Sequence, residues 1–487
     1  MGAFDPSYLA LNSLRAASIV TQHDERAAKR RKLRAIRERS TTDTSVDLEE
    51  HDPAPSVVTG TRVPPTIPNS TLLEHVATSR FFHHYVSADR TFCRLDLDFT
   101  TFIIDNAMMR AALAECIIAL GILTLPRRSE ASCMAARLRY ARALRLTNHA
   151  LRDKAEAKSD EILMAVILLS FFEVRPFSVR LYTTPDDEHS LASWTAHLDG
   201  ARMLLRIRGR DLLQRGPTYR MFSILRAQIL VNCLMTMQPV PQDLIDLSID
   251  ISQTQSEDER AGSEVVLLFA RLCNLFASSR DAKTQSREEV LAHAIALDND
   301  LIHWSQSLPP SYNYTTEPAP PSSNAFTAYC EVYSSLFSAE VWNLYRSARL
   351  GVNGLIMEQQ SLLDLELAQQ QQQPAYTSAP PSRARSDSAT ASPGLDVRLA
   401  VLESLRNDIC AGTPFMLGRH GGDRALSDIP LCRRTPVMHH LLYILKTAGI
   451  TKEMYNWAMA QVAELTPDAE GADGAICDPK TLTRTAK

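Results

Sequence analysis

From residue 72 to residue 465 most of the chain carries apolar residues every three or four positions, the spacing that holds one face of an α-helix against a core. Leu72 to Val86 shows it directly after Ser70, a residue suited to cap a first turn. Residues 106–123 form an Ala/Leu/Ile/Met run that stops before Pro126. In the next segment Met134, Leu138, Ala141 and Leu144 recur at helical spacing with Arg137, Arg139, Arg142 and Arg145 between them, which predicts a surface helix with a basic outer face. Ser159 or Asp160 can cap a helix over 162–174 that is apolar all round and therefore expected to be buried on all sides, ending before Pro176.

The pattern continues downstream. Trp194, Leu198, Ala201 and Leu205 share a face of a helix over Ser193–Arg208, and Gly209 suits a left-handed stop. Further helices are predicted over Tyr219–Met237, Glu264–Ser278, Arg287–Ser307, Ala325–Leu350, Val397–Cys410, Val437–Lys446 and Thr451–Leu465, with Gly449 separating the last two. Strand-like alternation is nearly absent, so the fold class is all-α, a large irregular helical bundle. No period repeats along the helices, which leaves a regular solenoid unsupported.

Three stretches break the pattern. Residues 53–70, PAPSVVTGTRVPPTIPNS, are rich in Pro, Ser and Thr with little that could pack, so residues 1–69 read as a flexible arm. Residues 308–323 read as a Pro/Ser loop, and residues 369–396 as a low-complexity, disordered insertion that opens on glutamines. The helical domain is thus expected over 70–465, followed by a loose tail over 466–487.

Composition narrows the chemistry. Hydrophobic residues make up 45% and charged residues 22%, ordinary for a globular chain. Seventeen glycines in 487 residues are about half the usual share, thin for folds built on phosphate-binding glycine loops. The longest apolar run, Ile162 to Phe172, is too short to cross a bilayer, and the N-terminus has no basic and apolar leader, so no membrane association is expected. Gly2 is a poor acylation site because Pro6 stands where Ser or Thr is preferred.

The net charge of -4 hides a local imbalance. Eight basic residues between 24 and 39 against three acids make a +5 stretch. Residues 43–52 then hold five acids, Asp43, Asp47, Glu49, Glu50 and Asp52, and no Lys or Arg. With both stretches removed the remainder is again -4, so the helical body as a whole offers no positive field for nucleic acid. The core of the basic stretch, Lys29, Arg30, Arg31, Lys32 and Arg34, fits a nuclear import signal, with weak non-specific nucleic-acid contact as a second use and a merely solvated helix face as the plain alternative.

Catalytic and metal motifs are scarce. Gly418, Gly421 and Gly422 lack the lysine spacing of a phosphate loop. The pairs His83/His84 and His439/His440 are adjacent, so on a helix they diverge by about 100° instead of converging on a metal, and they read as histidines at a core edge. His197, one turn after Trp194, reads as a packing residue. Asp186, Asp187 and Glu188 are the one approach to the magnesium-binding carboxylates of an all-α terpene-cyclase-type enzyme, and they lack a second motif. Nine cysteines include no C-x2-C, which disfavours a zinc site and suits small core residues in a reducing compartment.

Taken in order, RLRYARALRLTNHALRD (137–153), SDEILMAVILLSFFE (159–173), WTAHLDGARMLLRIRGRD (194–211), ALDNDLIHWSQSLPPSYNY (296–314), VWNLYRSARL (341–350) and LRNDICAGTPFMLG (405–418) resemble the regulatory region of fungal zinc-cluster (Zn2Cys6) transcription factors. The resemblance spans 70–465. It implies a non-enzymatic nuclear regulator of RNA polymerase II genes whose partners are the transcription machinery or a DNA-binding subunit, as a homo- or heterodimer. The family's six-cysteine zinc cluster would precede this region, yet no cysteine occurs before Cys93. Zinc is therefore expected only if an N-terminal cluster is missing from the gene model; otherwise the protein has lost direct DNA reading. LLDLELAQQQQQ (362–373) reads equally as an activation segment and as a helix end entering a linker. A helical scaffold without a transcriptional role is the competing class.

Overall fold

The structure is a computed structural model, and it describes residues 70–87, 95–96, 111–125, 129–174, 188–209, 216–280, 285–372, 393–421 and 429–465. Thirteen α-helices carry these residues, with two small two-stranded sheets among them, β1 (Val86–Ser87) with β2 (Leu95–Asp96) and β3 (Tyr314–Pro318) with β4 (Tyr329–Tyr333). The all-α expectation holds. The chain clusters into two units, one of residues up to Phe82 with Ala107–Phe172, the other of His83–Asn106 with Glu173 onward.

The first unit contains most of α1 (Ser70–Tyr85) with α2 (Ala111–Leu123), α3 (Glu130–Ala150) and α4 (Asp160–Val174). Helix α2 crosses α1 so closely at Gly121 that a Cβ there would overlap the backbone carbonyl of Ala77; only glycine fits. The same crossing is tied by Arg80, whose guanidinium donates to the Thr124 hydroxyl at 3.2 Å and to the Thr124 carbonyl at the end of α2. Ser129 caps α3 by accepting from the Ser132 N–H at 3.1 Å, and the Ser159 hydroxyl accepts from the Ile162 N–H at the start of α4. Ile162 to Ser170 are buried without interruption, as expected for a helix with no polar face. Tyr140 of α3 stacks on Phe172 of α4 with ring centroids 4.3 Å apart.

One face of α3 differs from expectation. Its buried side consists of Ala136, Tyr140, Ala143, Leu144, Thr147 and Ala150, while Leu138 is 59% exposed. A 3.6-residue repeat fits either register, and the choice went to the face rich in small residues, which lets α3 approach α2 closely.

The second unit is built from α5 (Glu188–Arg208), α6 (Pro217–Thr236), α7 (Gln242–Ser252), α8 (Glu257–Arg280), α9 (Arg287–Gln306), α10 (Leu336–Gln372), α11 (Pro393–Met416), α12 (Leu431–Ile444) and α13 (Lys452–Leu465). Ser286 starts α9 with a reciprocal capping box, its hydroxyl accepting from the Glu289 N–H while the Glu289 carboxylate accepts from the Ser286 N–H. Gly209 and Gly449 take positive φ at helix ends, as their positions predict. Helix α8 is long and apolar enough to span a bilayer by composition, yet Val265, Phe269, Leu272 and Cys273 are buried along one side, the pattern of a core helix.

Helix α10 is the spine, about 55 Å at 1.5 Å per residue. It packs against α8, α9, α11 and α12, and at Gly351 it comes so close to α8 that a Cβ would sit 2.9 Å from the Leu272 side chain. A core of Leu350, Leu402, Ile409, Met438, Leu441, Met454 and Val462 joins α10 through α13.

Several boundary expectations change: α8, expected over Glu264–Ser278, begins already at Glu257, and α11, expected to end at Cys410, runs on to Met416. The helix expected over Ala325–Leu350 begins only at Leu336, and β4 (Tyr329–Tyr333) precedes it, paired antiparallel with β3 (Tyr314–Pro318) inside the expected Pro/Ser loop. At its other end α10 runs to Gln372, so the first glutamines are helical, and α11 begins at Pro393; residues 373–392 of the expected insertion lie outside the described residues. Helix α12 begins at Leu431 instead of after Pro436. Pro436 forfeits one hydrogen bond in the second turn, and the burial of Leu431 and Cys432 holds the first turn in place. The expected arm over 1–69 and tail over 466–487 also lie outside the described residues.

Candidate functional site

The least expected feature of the second unit is a charged cluster in its interior, where β4, α10 and α11 meet. On β4, Glu331 and Tyr333 are two residues apart and so project to the same side of the strand. Both are buried, and so is Arg346 on α10. The guanidinium pairs with the Glu331 carboxylate at 2.8 Å, donates through a second nitrogen at 2.9 Å, and donates to the Tyr333 hydroxyl at 2.6 Å. The Tyr333 hydroxyl in turn donates to Glu331. Remaining guanidinium capacity goes to the Asn343 side chain and to the Asp408 carbonyl of α11, each at 3.3 Å. The cation also lies over the rings of Tyr314 and Trp342, with its carbon 5.5 and 5.6 Å from their centroids. Gly412 of α11 leaves room for the Tyr333 hydroxyl, which would be 3.1 Å from a Cβ at that position.

The electrostatics follow from burial. Burial raises the Glu331 carboxyl, against the pull of Arg346 and of the Tyr333 hydrogen bond, and it raises the Tyr333 phenol well above its ordinary value. Burial works to lower Arg346, but Tyr333, Glu331 and Asp408 around it prevail and hold the guanidinium charged. An arginine in this state donates a rigid fork of hydrogen bonds and does not exchange its proton. The cluster therefore serves as a clasp joining a strand and two helices, not as an acid–base pair.

A second polar group lies further along α10. Asp298 of α9 accepts from Arg349 Nε at 2.8 Å and from Asn353 Nδ2 at 3.0 Å, and the Asn353 side-chain oxygen Oδ1 accepts from Arg398 of α11 at 2.7 Å. Arg406 of α11 donates to the Thr447 hydroxyl at 3.1 Å and to the carbonyls of Ala448 and Gly449 at 2.8 and 3.1 Å, capping the turn after α12. The sequence reading missed all three groups. The available signal was the pair of arginines, Arg346 and Arg349, inside the otherwise apolar VWNLYRSARL, and the alternation in YCEVY.

The residues singled out from sequence fare as follows. Lys29, Arg30, Arg31, Lys32 and Arg34 lie outside the described residues, as do Asp186 and Asp187. His440 is half-buried and shares a 2.9 Å hydrogen bond with Ser347 of α10; burial, helped by His439 and Arg346, pushes it down to about 3. His439 and His197 are each pushed down to about 4 by burial, the condition of neutral packing histidines. His83 and His84 contact each other edge to face. Gly418 takes a positive φ just after α11. Cys116, Cys233, Cys273, Cys330, Cys410 and Cys432 are buried thiols, and Cys133 is partly exposed. Among the described residues no group of three or more His, Cys, Asp or Glu is placed to hold a metal ion.

Compared with known families, residues 79–344 match the fungal-specific transcription factor domain. The chain belongs to that family. No curated protein and no solved structure matches it. The matched span is narrower than the resemblance over 70–465: the fungal transcription factor domain begins within α1 and ends within α10, two residues before Arg346. It contains Glu331 and Tyr333 of the clasp, while Arg346 and Asp408 lie just past it. Membership places the chain among proteins of transcription regulation in fungi.

Proposed function

We propose that this chain is a non-enzymatic regulator of RNA polymerase II transcription that works in the fungal nucleus through its helical domain, with sequence reading of DNA supplied by a zinc cluster N-terminal to this chain or by a partner subunit. The observation that carries the reading is the family match over 79–344 together with the absence of cysteine before Cys93. Without zinc ligands of its own the domain lacks the cluster with which the family is expected to read base edges, and a basic arm supplies only salt-sensitive attraction to phosphate. The Lys29, Arg30, Arg31, Lys32 and Arg34 stretch serves nuclear import in this reading.

Two measurements on the full chain test it. A fluorescent fusion is expected in the nucleus and, with Lys29, Arg30, Arg31 and Lys32 all changed to Ala, in the cytoplasm; cytoplasmic residence of both forms overturns the nuclear assignment. Tethered to a promoter through a heterologous DNA-binding module, the chain is expected to change reporter transcript level. An unchanged transcript in a fungal host would favour a scaffold without a transcriptional role.

A further inference from the structure

The register of α3 leaves a stripe of mixed character on its outer side. Leu138, Arg142, Arg145, Leu146 and His149 are all exposed and recur at spacings of four, three, one and three, which brings them within one narrow sector of the helix. Between residues 131 and 152 there are five arginines and no acid. Arg139 is used inside the unit, on Glu74 and Glu115. Arg142 approaches Glu115 at 3.6 Å and stays half exposed, and among the described residues no carboxylate pairs with Arg145. Exposed leucines framing exposed arginines suit a segment that carries both acids and bulky apolar residues. Duplex DNA fits less well, since Leu138 and Leu146 would face phosphate.

We propose that the outer face of α3 is the docking surface for residues 43–52 of the same chain. That segment holds five acids around Val46 and Leu48 and no Lys or Arg, the complement of the stripe. Where the arm joins the fold supports the assignment. Glu74, in the second turn of α1, is ion-paired with Arg139 in the middle of α3, so the chain enters the unit beside the stripe. Residues 53–69 form the tether between the two. A random-coil tether of that length would reach about 23 Å, against a helix about 32 Å long, which would keep segment and surface at an effective concentration on the order of millimolar. Docking in this way hides the acidic stretch and leaves the neighbouring +5 stretch over 24–39 without its local counter-charge.

The test uses a fluorescent peptide of residues 41–52 and the full chain, read by anisotropy. The unaltered chain, with its surface already occupied, is expected to bind the peptide weakly. A chain carrying Asp43→Asn, Asp47→Asn, Glu49→Gln, Glu50→Gln and Asp52→Asn is expected to bind it about tenfold more tightly. Adding Arg142→Gln with Arg145→Gln removes that gain, and so does adding Leu146→Ser alone; all three side chains are exposed, and an unchanged far-UV circular dichroism spectrum verifies the fold. Equal affinity of the unaltered and neutralised chains overturns the proposal, as does binding that ignores these side chains. A short DNA duplex bound through Arg142 and Arg145 more tightly than the peptide overturns it in favour of nucleic acid. A dimer in sedimentation that dissociates when the five acids are neutralised overturns it in favour of a second copy.

Discussion

Arg346 and Glu331 form an ion pair at 2.8 Å with both side chains almost fully removed from water, 2% and 3% exposed. Removing one partner strands the other charge in the core. Arg346→Met alone or Glu331→Leu alone is expected to cost about 3–5 kcal/mol, while the double variant recovers much of that loss because neither charge is left unpaired. Urea denaturation of the two single variants and the double variant measures the coupling; additive losses would show that the clasp is not a pair.

Gly121 and Gly354 are expected to respond in opposite directions to the same substitution. Gly121→Ala places a Cβ on the Ala77 backbone, which cannot retreat without moving α1, and should destabilise by about 1–3 kcal/mol. Gly354 lies inside α10 with nothing within 4 Å of its would-be Cβ, so Gly354→Ala should stabilise by about 0.5–1 kcal/mol. Chemical denaturation midpoints give both signs.

Acid should weaken the second unit through its histidines. His197, buried and pushed down to about 4, stays neutral in the fold while the unfolded chain takes up a proton near its ordinary value of 6.5. The unfolded state therefore binds more protons between those two values, and stability is greatest above 6.5 and falls as the pH drops towards 4, by up to roughly 3 kcal/mol for this residue. His439 and His440 add to the loss in the same direction. Denaturation curves at several pH values should show this slope, and His197→Gln should make it shallower; a slope unchanged by the substitution would remove His197 from the account.

The thiols of Cys116, Cys273 and Cys410 are buried, and burial raises all three well above the ordinary cysteine value. They should resist iodoacetamide in the native chain and react in urea, read peptide by peptide by mass spectrometry. Labelling of Cys273 under native conditions would mean that α8 opens locally.

Ser286→Ala removes the hydroxyl half of the α9 capping box and should cost about 1 kcal/mol. Glu289→Ala, which removes the other half, should cost less than that, and thermal melts of the two rank them.

Most helices of this chain could be read from periodicity, because a buried face must repeat at 3.6 residues whatever it packs against. Helices α4, α5, α6 and α9 lie close to their expected bounds, as their stops are local: Pro176, Gly209, Pro239 and the Ser286 cap act within a turn of chain. Helix α7 has one acid per turn, Asp243, Asp246 and Asp250, opposite the buried Leu244, Ser248 and Ile251; it is absent from the expected helices, where Pro239 and Pro241 stand only as the stop of the helix before it.

The sequence by itself determined the all-α class, the regions that carry the helices and the charge pattern of the first 52 residues, since these depend on neighbours within a few positions. Tertiary structure decided three things that periodicity leaves degenerate. It chose the small-residue face of α3 over Leu138, since only close approach to other helices distinguishes the two registers. It turned YCEVY into a strand, because that segment is satisfied by Tyr314–Pro318, which no local rule pairs with it. And it made Arg346 an interior residue, because the carboxylate, hydroxyl and carbonyl that compensate a buried guanidinium come from positions 331, 333 and 408 and meet it only when the chain has folded.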